Sequence, residues 1–213
     1  RTCVAWLRFG TAMLPTCVVY FDFICPFCYL GASRLSRLQA HWAFALDWRG
    51  IQIHPETPPQ GMPLAAIGDE RLRQAATGIV TLAAEEGLDL AIPLTLANSS
   101  LAHRMAECAR REGAFDEYMQ RVFTAYFQEG RDIGDSETIP AIVRDLGISK
   151  PAIAAFLDDR RGYAAIISER LRDCATRKFR AFPAVIMGDR QWQGVQTEPV
   201  WVDGLRAMGC EPR

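Results

Sequence analysis

Cys25 and Cys28, set within Tyr20-Phe-Asp-Phe-Ile-Cys-Pro-Phe-Cys-Tyr-Leu-Gly31, constrain this chain more than any other feature. The apolar, aromatic-rich run 17–23 reads as a buried strand, and a helix-compatible run begins directly after it. A Cys-x-x-Cys at that junction puts one sulfur at the first turn of a helix. There, unpaired backbone N–H groups and the positive end of the helix dipole favour a thiolate, the reactive form of cysteine. The pattern points to redox chemistry. Cys25, nearer the helix end and solvent, is the candidate attacking thiol, and Cys28, one turn in, the candidate resolving thiol. Pro26 suits the first helical position, where its missing N–H would have been unpaired anyway. Phe27 adds apolar surface beside the sulfur and no charge.

Two other readings of the pair stand beside this one. A structural zinc site needs four ligands, whereas no second close-spaced pair exists and His41, His54 and His103 are isolated in the chain. No metal is therefore expected. Two inert core cysteines are the other alternative, against which Pro26 at a helix start argues.

Nearly half of the 213 residues are apolar, enough for a core, and the length suits one sizeable domain or a small domain with an insertion. A net charge of −1 leaves no bulk field to draw the chain to nucleic acid or an anionic membrane. No apolar stretch approaches the length of a membrane span. Arg8 interrupts the apolar run near the start before a seven-residue signal core can form, so no secretory signal is expected. Of the seven cysteines, Cys3, Cys17, Cys108, Cys174 and Cys210 have no partner spacing, which predicts a reducing, cytoplasmic setting.

Leu35, Leu38 and Trp42 continue a helix to about Phe44, residues 46–54 alternate as a strand, and Pro55, Pro58, Pro59, Gly61 and Pro63 mark a loop. Residues 62–178 read as helical, in stripes such as Leu72, Ala75, Ala76, Ile79 and Leu82, then Leu101, Met105 and Cys108, then Phe115, Tyr118, Val122 and Tyr126. Asn98 to Ser100 are candidate caps, and Tyr163, Ile166, Arg170 and Cys174 form the last stripe. The β signal returns with residues 184–187, a Gly188-Asp189 turn and residues 191–195 as a hairpin. Thr197 can cap a final helix burying Trp201, Leu205 and Met208. This order predicts an α/β, thioredoxin-like fold with a large all-helical insertion. Its expected parts are a tail over 1–15, a thioredoxin-like domain over 16–61 and 179–213, and an insertion over 62–178.

Phe182-Pro183 opens the returning strand. In a thioredoxin-like sheet this is where a cis proline faces the Cys-x-x-Cys, although sequence leaves the isomer open. Cys25-Pro-Phe-Cys-Tyr-Leu-Gly31, Trp48-Arg-Gly-Ile-Gln-Ile-His-Pro55, Ala102-His-Arg104, Tyr126-Phe-Gln-Glu-Gly-Arg-Asp-Ile133, Phe182-Pro183 and Gly194-Val-Gln196 together resemble the FrnE-like branch of the DsbA oxidoreductase family. The resemblance spans residues 16–209. It implies a dithiol active site at Cys25 and Cys28, with Pro26, Phe27, Phe182 and Pro183 against the substrate. The 2-hydroxychromene-2-carboxylate isomerases and kappa-class glutathione transferases look similar, but usually carry Ser where Cys25 stands and lack the second Cys. Departures are Ala181-Phe182-Pro183 where Gly-Val-Pro is common, and Phe27 where Trp is frequent. The expected function is thiol–disulfide exchange with protein or small-molecule disulfides and thiols. The alternative is a glutathione-dependent isomerase or transferase. No tightly bound cofactor is expected, glutathione is a candidate co-substrate, and a homodimer stays open.

Overall fold

The apolar run ahead of Cys25 lies in the strand on which a five-stranded sheet is assembled. The computed structural model describes residues 6–9, 12–67 and 70–213. In chain order its elements are β1 (Trp6–Phe9), β2 (Ala12–Phe21), α1 (Pro26–His41), β3 (Ala45–Gly50), β4 (Met62–Pro63), a 3-10 turn (Leu64–Ile67), α2 (Glu70–Glu85) and β5 (Thr95–Leu96). They continue with α3 (Ser100–Arg111), α4 (Phe115–Phe127), α5 (Thr138–Asp145), α6 (Lys150–Asp158), α7 (Arg160–Thr176), β6 (Ala184–Met187), β7 (Arg190–Gln193) and α8 (Glu198–Ala207). These fall into two compact units: Arg1–Phe21 with Phe27–Arg49 and Arg177–Arg213, and Asp22–Pro26 with Gly50–Thr176.

In the first unit the strand order is β1-β2-β6-β7, with β3 also pairing β2. Cys17 to Tyr20 lie antiparallel to Met187 to Ala184, and all four β6 residues are buried. That continuous burial explains why β6 reads as an unbroken apolar run instead of an alternating one. The β6–β7 turn is Gly188-Asp189, and Gly188 takes φ 63°, which a two-residue hairpin turn requires. Leu35 and Leu38 of α1 and Trp201 and Leu205 of α8 are buried as their spacing predicts. Thr197 occupies the N-cap of α8, but its side chain makes no capping bond there.

The second unit is built on α3 and α4. Tyr118, Val122, Phe123 and Tyr126 form the buried stripe of α4, and the Tyr118 hydroxyl donates to the Ala102 carbonyl of α3 at 2.8 Å. Helix α3 ends in a Schellman motif: Gly113 N–H donates to Arg110 O and Ala114 N–H to Ala109 O, with Gly113 at φ 75°. The turn before α5 is held by Asp135, whose carboxylate accepts from Glu137 and Thr138 N–H.

Several expectations need correction. Where the sequence predicts a tail, Trp6–Phe9 pairs antiparallel with residues 12–15 of β2. A four-residue strand needs far less apolar length than a signal core. Residues 1–5 and 10–11, Cys3 among them, and the burial of Leu72, Ala75 and Ala76 lie outside the described residues. The strand expected over 46–54 stops at Gly50, because the Ile53 N–H goes to the Asp22 carboxylate at 2.7 Å instead of to a ladder. The insertion is not all helical: Met62–Pro63 pairs with Thr95–Leu96, where the Tyr126 hydroxyl donates to the Thr95 carbonyl. Of the last stripe, Cys174 is buried, whereas Arg170 reaches the Gly50 carbonyl and Glu107.

Gly113→Ala forces a side chain into a left-handed conformation with open space around it, so the cost is conformational alone. It should lower the unfolding free energy by about 1 kcal/mol in urea titrations, without altering the folded spectrum.

Candidate redox site

Cys25 immediately precedes Pro26, the first residue of α1, so the two cysteines occupy the N-cap and the third helical position of one helix. Cys25 is 6 % exposed and Cys28 0 %. The turn that delivers Cys25 is organised by Asp22. Its backbone carbonyl accepts from Cys25 N–H at 3.2 Å. Its carboxylate Oδ1 accepts from Ile24 N–H at 3.4 Å and lies 2.9 Å from His103 Nε2, while Oδ2 accepts from Ile53 N–H at 2.7 Å. A buried carboxyl group is tolerated only with such a complement of donors.

His103, on the second turn of α3, is held from several sides. The Phe23 ring lies 5.0 Å away centroid to centroid, and Phe23 in turn meets Tyr118 and Phe123. Gly50 passes so close that a Cβ there would run into the imidazole. The Gly50 carbonyl accepts from Arg170 Nη1 at 3.1 Å, and Arg170 Nη2 pairs with Glu107 at 2.8 Å.

On the Cys28 side, Gly31 lies three residues further along α1. A Cβ on Gly31 would stand 2.9 Å from Cγ of Pro183 and 3.7 Å from the Trp201 ring. Pro183 is therefore packed directly on the helix that carries Cys28. The Phe182–Pro183 bond is cis. Pro183 is buried and Phe182 half-buried, and the Pro183 carbonyl accepts from Gly194 N–H at 2.9 Å. Arg34 of α1 donates to the Gln196 carbonyl, which ties the Gly194-Val-Gln196 stretch to the same helix. Pro26 and Phe27 are both half-buried at the start of α1.

A sequence model of the DSBA-like thioredoxin domain matches residues 16–205, from the start of the apolar run in β2 to Leu205 of α8. The chain belongs to that family. It is the family that the motifs resemble. The fold is shared with the probable DsbA oxidoreductase SCO1869 of Streptomyces coelicolor (TM-score 0.80, 19 % identity, 91 % of this chain and 89 % of that one). It is also shared with the cytosolic disulfide reductase DsbM of Pseudomonas aeruginosa, solved with GSH (TM-score 0.68, 16 % identity, 90 % and 98 % covered). In sequence the chain is 26 % identical to the 2-hydroxychromene-2-carboxylate isomerase of Pseudomonas putida over 178 residues, 82 % of this chain and 86 % of the other.

Three further cysteines of this DSBA-like chain, Cys17, Cys108 and Cys210, sit in environments that suppress a thiolate. Burial, then Cys210 and Asp47, push the Cys17 thiol far up, and burial raises Cys210 to about 11. Burial and Glu112 raise Cys108 against the opposing pull of Arg111. Among the described residues no group of three or more His, Cys, Asp or Glu is arranged to hold a metal ion.

Asp22 and His103 are the site residues that sequence reasoning passed over. His103 stands within a motif of the resemblance, yet it reads as isolated in sequence because its partner lies 81 positions away. Asp22 had a readable signal: a lone acid inside an apolar strand end requires a buried partner.

Two substitutions follow from this packing. Gly31→Ala should lower stability by about 1–3 kcal/mol, because neither the Pro183 ring nor the Trp201 ring can yield freely; thermal unfolding measures it. Cys108→Ala removes only a small buried sulfur. It should cost about 1 kcal/mol and leave the reactivity of the remaining thiols unchanged in a timed alkylation series.

Proposed function

We propose that the protein is a thiol–disulfide oxidoreductase in which Cys25 attacks and Cys28 resolves. The observation that carries this reading is the placement of both sulfurs on the first turn of α1, with Cys25 the more exposed. In the reductive direction the Cys25 thiolate attacks one sulfur of a substrate disulfide. A Cys25–substrate S–S bond forms, the substrate S–S bond breaks, and the departing sulfur keeps the electron pair and takes up a proton. Cys28 then loses its proton and attacks Cys25, which closes the Cys25–Cys28 disulfide and releases the second substrate thiol. Two electrons pass from the protein dithiol to the substrate. The reverse sequence oxidises a dithiol.

Pro26, Phe27, Phe182 and Pro183 are assigned to substrate binding. The half-buried aromatic faces of Phe27 and Phe182 suit an apolar peptide or an aromatic small molecule. Glutathione is proposed as a co-substrate, a reading supported by the shared fold with a disulfide reductase solved with GSH. The cysteine spacing supports a reducing, cytoplasmic setting, and among the described residues no helix is long and apolar enough to cross a membrane.

The sequence likeness to an isomerase favours one second reading, glutathione-dependent isomerisation. Cys28 separates the two, since exchange requires a resolving thiol and isomerisation does not. In a glutathione-coupled assay on a model disulfide, Cys25→Ser should reduce exchange to background. Cys28→Ser should accumulate a Cys25 mixed disulfide visible by intact mass. A Cys28→Ser protein that turns over with glutathione and traps no mixed disulfide would overturn the exchange reading.

A further inference from the structure

The proposed exchange uses two sulfurs and leaves the Asp22–His103 pair unexplained. Both side chains are all but removed from solvent, 0 % and 1 % exposed, with Nε2 2.9 Å from Oδ1. Packing alone does not call for them: an apolar pair of similar volume fills such a site without the desolvation cost of two polar heads. Their place along the chain is more telling. Asp22 and Cys25 are the first and fourth residues of one hydrogen-bonded turn, so the carboxyl group is fixed relative to the residue that bears the attacking sulfur.

Among the described residues, charged or titratable groups near the pair include members of three helices. Arg104 and Glu107 lie on α3, Arg170 and Tyr163 on α7, and Tyr126 on α4. Arg170 is committed to Glu107 and the Gly50 carbonyl. Burial pushes the Tyr163 phenol up to about 12, with Arg170 and Arg104 lowering it and Glu107 and Asp22 raising it. Burial also raises Tyr126, offset by the Ala97 N–H and reinforced by Asp132 and Asp22. Both phenols therefore stay neutral and add no charge near neutral pH.

We propose that Asp22 and His103 form a proton-sharing pair whose net charge sets how readily the Cys25 thiol ionises, with Asp22 as the positioning residue for the turn. The inference rests on reading Cys25 as the attacking thiol. A negative Asp22 alone opposes a second negative charge on the same loop, and a proton held by His103 cancels that opposition. The thiol proton leaves to water; the pair acts through its field and is not the acceptor.

The test is the rate of Cys25 alkylation by iodoacetamide against pH in the full chain, with Cys25→Ser as the baseline for the other thiols. Asp22→Asn removes the negative charge and should raise the rate by about tenfold at pH values where the wild-type pair has given up its proton and Cys25 is not yet fully ionised, the change that a one-unit shift of the thiol produces. His103→Gln keeps a donor for Asp22 but cannot carry the proton, and should lower the rate by a similar factor at lower pH, where the wild-type pair holds that proton. A purely structural pair would move both variants in the same direction, or move only the melting temperature, and either result overturns the proposal. If one variant does not fold, the direction of the other decides.

A readout without substitution of the pair is the imidazole NMR signal of His103, with His41 and His54 assigned through their own variants. Coupling is reciprocal, so the signal should shift as Cys25 ionises in the reduced protein. It should lose that inflection once Cys25 is alkylated, and an identical titration in both forms refutes the coupling. Alkylation and NMR need no disulfide. A Cys25 that fails to exchange while the two variants diverge therefore sinks the exchange reading alone.

Discussion

A carboxyl group cannot be shut away from water without donors of its own, and Asp22 meets that requirement with two backbone N–H groups and an imidazole. Much of the second unit is arranged to supply them. Ile53 gives up a place in a strand ladder. His103 is fixed on α3 between the Phe23 ring and Gly50, and Arg170 holds Gly50 by its carbonyl. The turn that ends at Cys25 is held by the same residue, so a local demand for hydrogen bonds and the placement of the Cys25 sulfur become one constraint.

The two thiols divide along the same line. Cys25 stands at the N-cap, joined by its N–H to the Asp22 turn; Cys28 is on the helix proper, fully buried. One turn past Cys28, Gly31 lets Pro183 rest against the helix backbone, with the Trp201 ring behind it. A side chain at position 31 would hold that segment off. Cys17, Cys108 and Cys210 lie where burial disfavours ionisation. Environment, more than the number of cysteines, decides which thiols ionise.

Much of this was legible in the residues. The Cys25–Cys28 pair, the apolar run of β2, the β6–β7 hairpin with its Gly188 turn, and the helical stripes of α3 and α4 are local patterns. Local patterns follow from short-range sterics and periodicity. The end of β3 was misjudged because alternation over residues 46–54 says nothing about a competing acceptor at Asp22. The small β4–β5 ladder was missed because two-residue strands have no period to detect.

Sequence by itself determined the type of site: two thiols, their spacing, and the strand-to-helix junction that holds them, since all of these lie within twelve consecutive residues. Tertiary structure alone decided what surrounds them. It brought His103 to Asp22 across 81 positions and set Pro183 on Gly31, and it chose the cis isomer of Phe182–Pro183. The physical reason is distance along the chain. A buried polar group announces that it needs a partner, but nothing local names the partner, which only the folded packing of α3 beside the Asp22 turn supplies.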